Sequence, residues 1–129
     1  MDKLEYIPGD LVSVYVGIKK FIVEVIGVEN ENEVLSYQIK FPNGEIQYAD
    51  KDNIVPIPLT PEILEKNGWK SINGKYALKI KNANYVVLEF TEDGIYTYIN
   101  ENTMLFTIKY IHELQHLLFG LGLNSEMEV

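Results

Sequence analysis

The chain has 129 residues, 47% of them apolar, no cysteine and a formal charge of −8. That is one ordinary domain or two very small ones, with no disulfides, no thiolate nucleophile and no cysteine-based zinc site. The acidic excess is spread, ten acidic against five basic side chains in residues 1–60 and nine against six in 61–129. Without a basic block to displace counterions, duplex nucleic acid is not an expected partner.

No run reaches the roughly 18 apolar residues of a membrane-spanning helix, and Met1-Asp2-Lys3-Leu4-Glu5 lacks the basic-then-apolar layout of a signal peptide. The expected location is a reducing cytoplasm, with no membrane partner.

The first half reads as short strands. Residues 10–16 alternate, with Val12, Val14 and Val16 on one face. Gly17 begins a turn, and residues 21–28 form a second β-branched run. Glu29-Asn30-Glu31-Asn32-Glu33 is predicted to be a solvated loop. Residues 34–41 carry Leu35, Tyr37, Ile39 and Phe41 in phase. Pro42-Asn43-Gly44 is a hairpin signal, because Asn-Gly tolerates the positive φ of a tight turn. Residues 45–49 pair back, and residues 54–57 make a fifth strand.

In the second half Thr60-Pro61-Glu62 opens a helix, with threonine as N-cap, proline at the first position and an acid at the positive dipole end. Asn67-Gly68 ends it, and Trp69 is placed to fold back on it. Strands are predicted at 75–81, 85–90 and 95–99, separated by Asn82-Ala83-Asn84 and Glu92-Asp93-Gly94. Ser71-Ile72-Asn73-Gly74-Lys75 reads as a plain turn without the spacing of a phosphate loop. Asn102 or Thr103 is taken to cap a last helix running to about Leu121.

The fold class expected is α+β: an SH3-like or Tudor-like five-stranded β-barrel over residues 1–58, followed by an α-β-β-β-α unit over 59–129 with a long C-terminal helix. The two are expected to pack as one compact domain.

His112-Glu113-Leu114-Gln115-His116 is a literal H-E-x-x-H. On a helix, residues i and i+4 share a face, so two imidazoles can hold one zinc while the glutamate activates water. A third ligand is the obstacle, because only Glu126 and Glu128 follow, on a tail expected to fray. On a helical wheel Met104, Thr107, Leu114, Leu118 and Leu121 cluster around Ile111 as the buried stripe. His112 and His116 then share another face with Lys109 and Phe119, His112 at the surface and His116 solvated. No catalytic residue and no cofactor are expected. The alternative is Glu113 as a catalytic base with zinc on His112 and His116.

Two stretches resemble a family of small uncharacterised phage and prophage proteins of Bacteroidota. They are Pro56-Ile57-Pro58-Leu59-Thr60-Pro61-Glu62-Ile63-Leu64 with Gly68-Trp69, and Ile108-Lys109-Tyr110-Ile111-His112-Glu113-Leu114-Gln115-His116-Leu117-Leu118-Phe119. Ile7-Pro8-Gly9-Asp10-Leu11-Val12 is similar too. The resemblance implies a phage-associated origin in the cytoplasm of a bacterial host, and glutamine and asparagine where Glu113 and His116 stand, a form that cannot bind zinc. It implies no known reaction.

Tyr15, Tyr37, Phe41 and Tyr48 are candidates for an aromatic cage on the barrel, against the plainer role of sheet packing. With Lys109 and Phe119, the tyrosines Tyr15, Tyr37 and Tyr48 make the candidate binding residues. The expected function is that of a non-enzymatic binding protein of phage or prophage origin. It would antagonise a host defence component by binding a host protein or by sequestering a small nucleotide ligand. Lys19, Lys20, Lys70 and Lys75 are the cations for the second role. The alternatives are a metal-dependent hydrolase and a virion structural or assembly protein. A homodimer through the last helix is expected, because Leu105, Leu117 and Phe119 fall outside the predicted stripe.

Overall fold

The computed structural model describes residues 6–31, 34–80, 84–100 and 102–129. The chain is mixed α+β, with two antiparallel sheets of five strands each and two α-helices. It divides into two compact units, Met1–Ile57 and Pro58–Val129.

In the first unit β1 (Leu11–Val16), β2 (Lys19–Glu31), β3 (Val34–Lys40), β4 (Ile46–Asp50) and β5 (Ile54–Val55) form a sheet ordered β4-β3-β2-β1-β5. Period-two alternation turns Val12 and Val14, Val23 and Val25, and Tyr37 and Ile39 inward, where they join Tyr6, Phe41 and Ile54 in one apolar cluster. The turn at Pro42-Asn43-Gly44 forms as the sequence predicts: Gly44 has φ 92° and the Phe41 amide donates to the Glu45 carbonyl at 2.8 Å. Ile7-Pro8-Gly9-Asp10 is also a turn. The Asp10 amide donates to the Ile7 carbonyl, and its buried carboxylate accepts from the Ile7 amide at 2.9 Å.

One expectation here is corrected. Glu29, Asn30 and Glu31 are not loop but the end of β2, paired with Ser36, Leu35 and Val34. Ladder hydrogen bonds link main-chain groups, so the pairing outruns the apolar pattern that marks the core. Asn32 and Glu33 lie outside the described residues. Among the described residues β4 and β5 are not paired with each other, and the strands constitute a sheet with two edges.

The second unit runs α1 (Pro61–Lys66), β6 (Lys70–Ile72), β7 (Lys75–Lys79), β8 (Tyr85–Thr91), β9 (Gly94–Ile99), β10 (Thr103–Ile108) and α2 (Ile111–Gly120). Its sheet is a meander with β6 and β10 at the edges. The α1 caps form as read. Thr60 Oγ1 accepts from the Ile63 amide at 3.3 Å, and Pro61 takes the first helical position. Gly68 has φ 87°, a conformation that disfavours side chains with a Cβ, and the Trp69 amide returns to the Leu64 carbonyl at 3.0 Å. Trp69 itself is buried.

Two further corrections concern this unit, which has five strands where three were expected. Residues 70–72 form β6, paired with β7 around the tight turn at Asn73-Gly74. Residues 103–108 form β10, where the first turns of a helix were expected, so α2 begins only at Ile111. The run Thr-Met-Leu-Phe-Thr-Ile has the β-branched and aromatic content of a strand, and β9 supplies the pairing that realises it. Gly94, with φ 126°, admits the close approach of this strand: a Cβ there would stand 2.7 Å from Thr107 Cγ2 and 3.3 Å from the Ile108 carbonyl oxygen. Lys81, Asn82 and Ala83 lie outside the described residues.

The segments preceding the two helices are tied together. Pro58 and Tyr110 form an antiparallel bridge, and the Leu59 amide donates to the Lys109 carbonyl at 3.0 Å. This fixes the start of α2, and with it the HELQH segment.

Candidate functional site: a groove between the last strand and the last helix

The starting point is a bulge in β10. Met104 pairs with Tyr98 and Thr107 with Tyr96, so Leu105 and Phe106 together oppose Thr97 alone. Such an extra residue bends a strand and re-aims its side chains. The buried hydroxyl of Thr97 holds the irregularity, donating to the Phe106 carbonyl at 2.5 Å and accepting from the Phe106 amide at 3.1 Å. Leu105 and Phe106 then line one wall of an open groove of about 540 Å³, and Glu113, His116, Leu117, Gly120 and Leu121 of α2 and its cap line the other. Four of these seven are large apolar side chains.

The other wall depends on how α2 sits. Ile111, His112, Leu114, Gln115, Leu117 and Leu118 are all buried. At about 100° per residue these positions sweep roughly 220° of the helix, far wider than the single stripe expected. His112, read as a surface residue, is therefore a core residue at 5% exposure, its ring stacked on Tyr110 with centroids 5.9 Å apart. Leu117, placed outside the stripe, is buried as well. Met104 and Thr107, placed in the stripe, are exposed positions of β10, and Leu121 is exposed beyond the helix end.

The H-E-x-x-H residues are thus divided among different tasks. The rings of His112 and His116 do adjoin, with centroids 5.6 Å apart and planes at 78°. His116 faces the groove while His112 points into the core. Glu113 is at the third position of the helix, where its Oε1 accepts from the amides of Lys109 at 2.8 Å and Tyr110 at 3.0 Å. It satisfies donors that a helix start leaves unpaired. Among the described residues no group of three His, Cys, Asp or Glu is arranged to hold a metal ion. Glu126 and Glu128 sit on a segment that is docked, not frayed: the Glu128 amide donates to Asn67 Oδ1 at 2.8 Å.

The other candidates are dispersed. Lys109 is exposed, and Phe119 is 70% exposed on the last turn of α2. In the first unit Tyr15, Phe41 and Tyr48 line a cleft of about 170 Å³. Tyr37 does not belong with them. It is fully buried, edge-on to Tyr6 at 5.5 Å, because its position on β3 faces the core. Lys19 and Lys20 belong to the first unit and Lys70 and Lys75 to the second.

Elsewhere in the second sheet the Tyr98 phenol is held above its ordinary pKa by desolvation and by the Glu89 carboxylate 3.4 Å from its hydroxyl. Phe106 and Thr97 were not among the residues singled out in the sequence; the strand-like composition of residues 103–108 was the signal that could have found Phe106. No helix of the described residues is long and apolar enough to cross a membrane. Set against protein-family models, curated proteins and solved structures, the chain matches none of them.

Proposed function

We propose that the protein is a non-enzymatic binding protein whose contact surface is the groove between β10 and α2. The observation that carries this reading is the groove lining itself: Leu105, Phe106, Leu117 and Leu121, with His116 and Glu113 the polar side chains among the described residues. An apolar recess of this kind suits a protein side chain. A nucleotide would need cations for its phosphates, and among the described residues the lining holds no lysine. A host protein is therefore the favoured partner over a small nucleotide.

The phage or prophage origin, and with it a host defence component as target, rests on the resemblance of residues 56–64 and 108–119. The cysteine-free sequence suits a bacterial cytoplasm. We take the first unit as SH3-like. In support are the strand order β4-β3-β2-β1-β5, the single 3₁₀ turn Lys51–Asn53 between β4 and β5, and the long β2 with its bulge near Gly27. The hydrolase reading is disfavoured because His112, one of the two imidazoles such a zinc site needs, is buried in the core and stacked on Tyr110.

The test uses the full chain and a Phe106→Glu variant with an unchanged melting midpoint. Wild type is expected to retain one host protein from bacterial lysate, which then binds in purified form and is lost with the variant. Equal retention by both forms refutes the groove. Light scattering of both forms separates the remaining occupants: a wild-type dimer that Phe106→Glu dissociates assigns this face to a second copy, and larger assemblies point to a virion component.

A further inference from the structure

Residues 123–129 follow the turn that closes α2 and lie along the second unit as neither helix nor strand, with the Glu126 amide donating to Asn124 Oδ1 at 3.0 Å. Burial alternates along them. Leu123, Ser125, Met127 and Val129 are half-buried, while Asn124, Glu126 and Glu128 are exposed. A period of two belongs to an extended chain resting one face on a surface.

Side chains of α1, its cap and α2 hold this segment by its main chain. Gln115 Nε2, on a side chain 96% removed from solvent, donates to the Ser125 carbonyl at 3.1 Å. Asn67 Nδ2 donates to the Glu128 carbonyl at 2.8 Å, and Asn67 Oδ1 accepts from the Glu128 amide at 2.8 Å. Lys66 Nζ donates to the main-chain oxygen of Val129 at 2.9 Å. The Asn67 amide thus offers Glu128 the donor and acceptor that a neighbouring strand would offer. All four bonds go to main-chain groups, so they recognise an extended backbone and leave selection to the half-buried side chains.

We propose that residues 123–129 are a detachable strap, and that the strip formed by Lys66, Asn67 and Gln115 is a binding site for an extended peptide. The peptide carries apolar residues at alternate positions with acidic or polar residues between them, as Leu123, Met127 and Val129 alternate with Asn124, Glu126 and Glu128. Main-chain pairing of this type is how extended peptides add to an exposed edge. The strap competes from within the chain at an effective concentration in the millimolar range, so an outside peptide binds visibly only when it matches the strap or when the strap is weakened. A surface segment held by a few bonds, most of them exposed, opens far more readily than the core.

The experiment uses the full ¹⁵N-labelled chain and a synthetic peptide of residues 122–129 as probe. In the free protein the Glu128 amide should exchange at least about tenfold more slowly than in the isolated peptide. Peptide at several millimolar should accelerate that exchange saturably, at roughly the effective concentration of the strap. A peptide carrying Glu128→Pro lacks the amide that Asn67 accepts and should have no effect. The full chain carrying Glu128→Pro loses its own strap without alteration of α1 or α2, and should bind the wild-type peptide at least ~10-fold more tightly. Unprotected Glu128 exchange in the free protein overturns the strap. Failure of the wild-type peptide to bind the Glu128→Pro chain overturns the site, and so does equal binding of the two peptides.

Discussion

The hydroxyl of Thr97 is bonded to both main-chain groups of Phe106, donating to its carbonyl and accepting from its amide. One buried side chain on β9 therefore stabilises the bulge that turns Leu105 and Phe106 toward the groove. Thr97→Val keeps the shape and removes both bonds. It should lower stability by about 1–3 kcal/mol, the cost of leaving buried polar groups unpaired. Thr97→Ser should cost much less, because the hydroxyl remains. Denaturant midpoints of the two variants check this order, and equal midpoints would count against it.

Glu113 acts on the start of its own helix. Glu113→Ala should cost about 1 kcal/mol, the usual worth of a helix-start cap. Glu113→Gln retains an acceptor oxygen and should melt close to wild type. A catalytic base would give a different ranking, with the glutamine form inactive in any hydrolytic assay.

Trp69 is buried at the closing turn of α1, with its amide bonded to the Leu64 carbonyl. Trp69→Ala should destabilise the fold by about 3–5 kcal/mol through lost burial and the cavity left behind. An unchanged thermal midpoint would contradict the packing described.

Tyr37 carries a buried hydroxyl with no hydrogen-bond partner among the described residues. Tyr37→Phe removes a group whose desolvation is uncompensated, and should be neutral or stabilising by up to about 1 kcal/mol. A loss of stability above that size, measured in urea, would reveal a partner for the phenol.

Features written into neighbouring residues were legible in the sequence. Thr60 with Pro61 starts α1, Gly68 with Trp69 ends it, and Pro42-Asn43-Gly44 turns a hairpin. Each depends on bonds spanning a few residues, so local chemistry decides it alone. The alternation of Val12, Val14, Tyr37 and Ile39 likewise assigned the inner face of the first sheet, because one buried face imposes a period of two.

Residues 102–110 were not decidable in this way. Asn102 and Thr103 suit a helix cap as well as a turn before a strand, and Met104, Ile108 and Ile111 fit a helical spacing. Pairing with β9 and the hydroxyl of Thr97 resolve the ambiguity, and both come from outside the segment. The same holds for the H-E-x-x-H. Its spacing determined that His112 and His116 lie one turn apart on a helix, and their rings do adjoin. Only the tertiary structure decided that His112 faces the core, that Glu113 caps the helix, and that Asn67 holds Glu128 across 61 positions of chain. Helical spacing specifies direction around an axis, whereas burial and partnership depend on which distant segment covers each side of it.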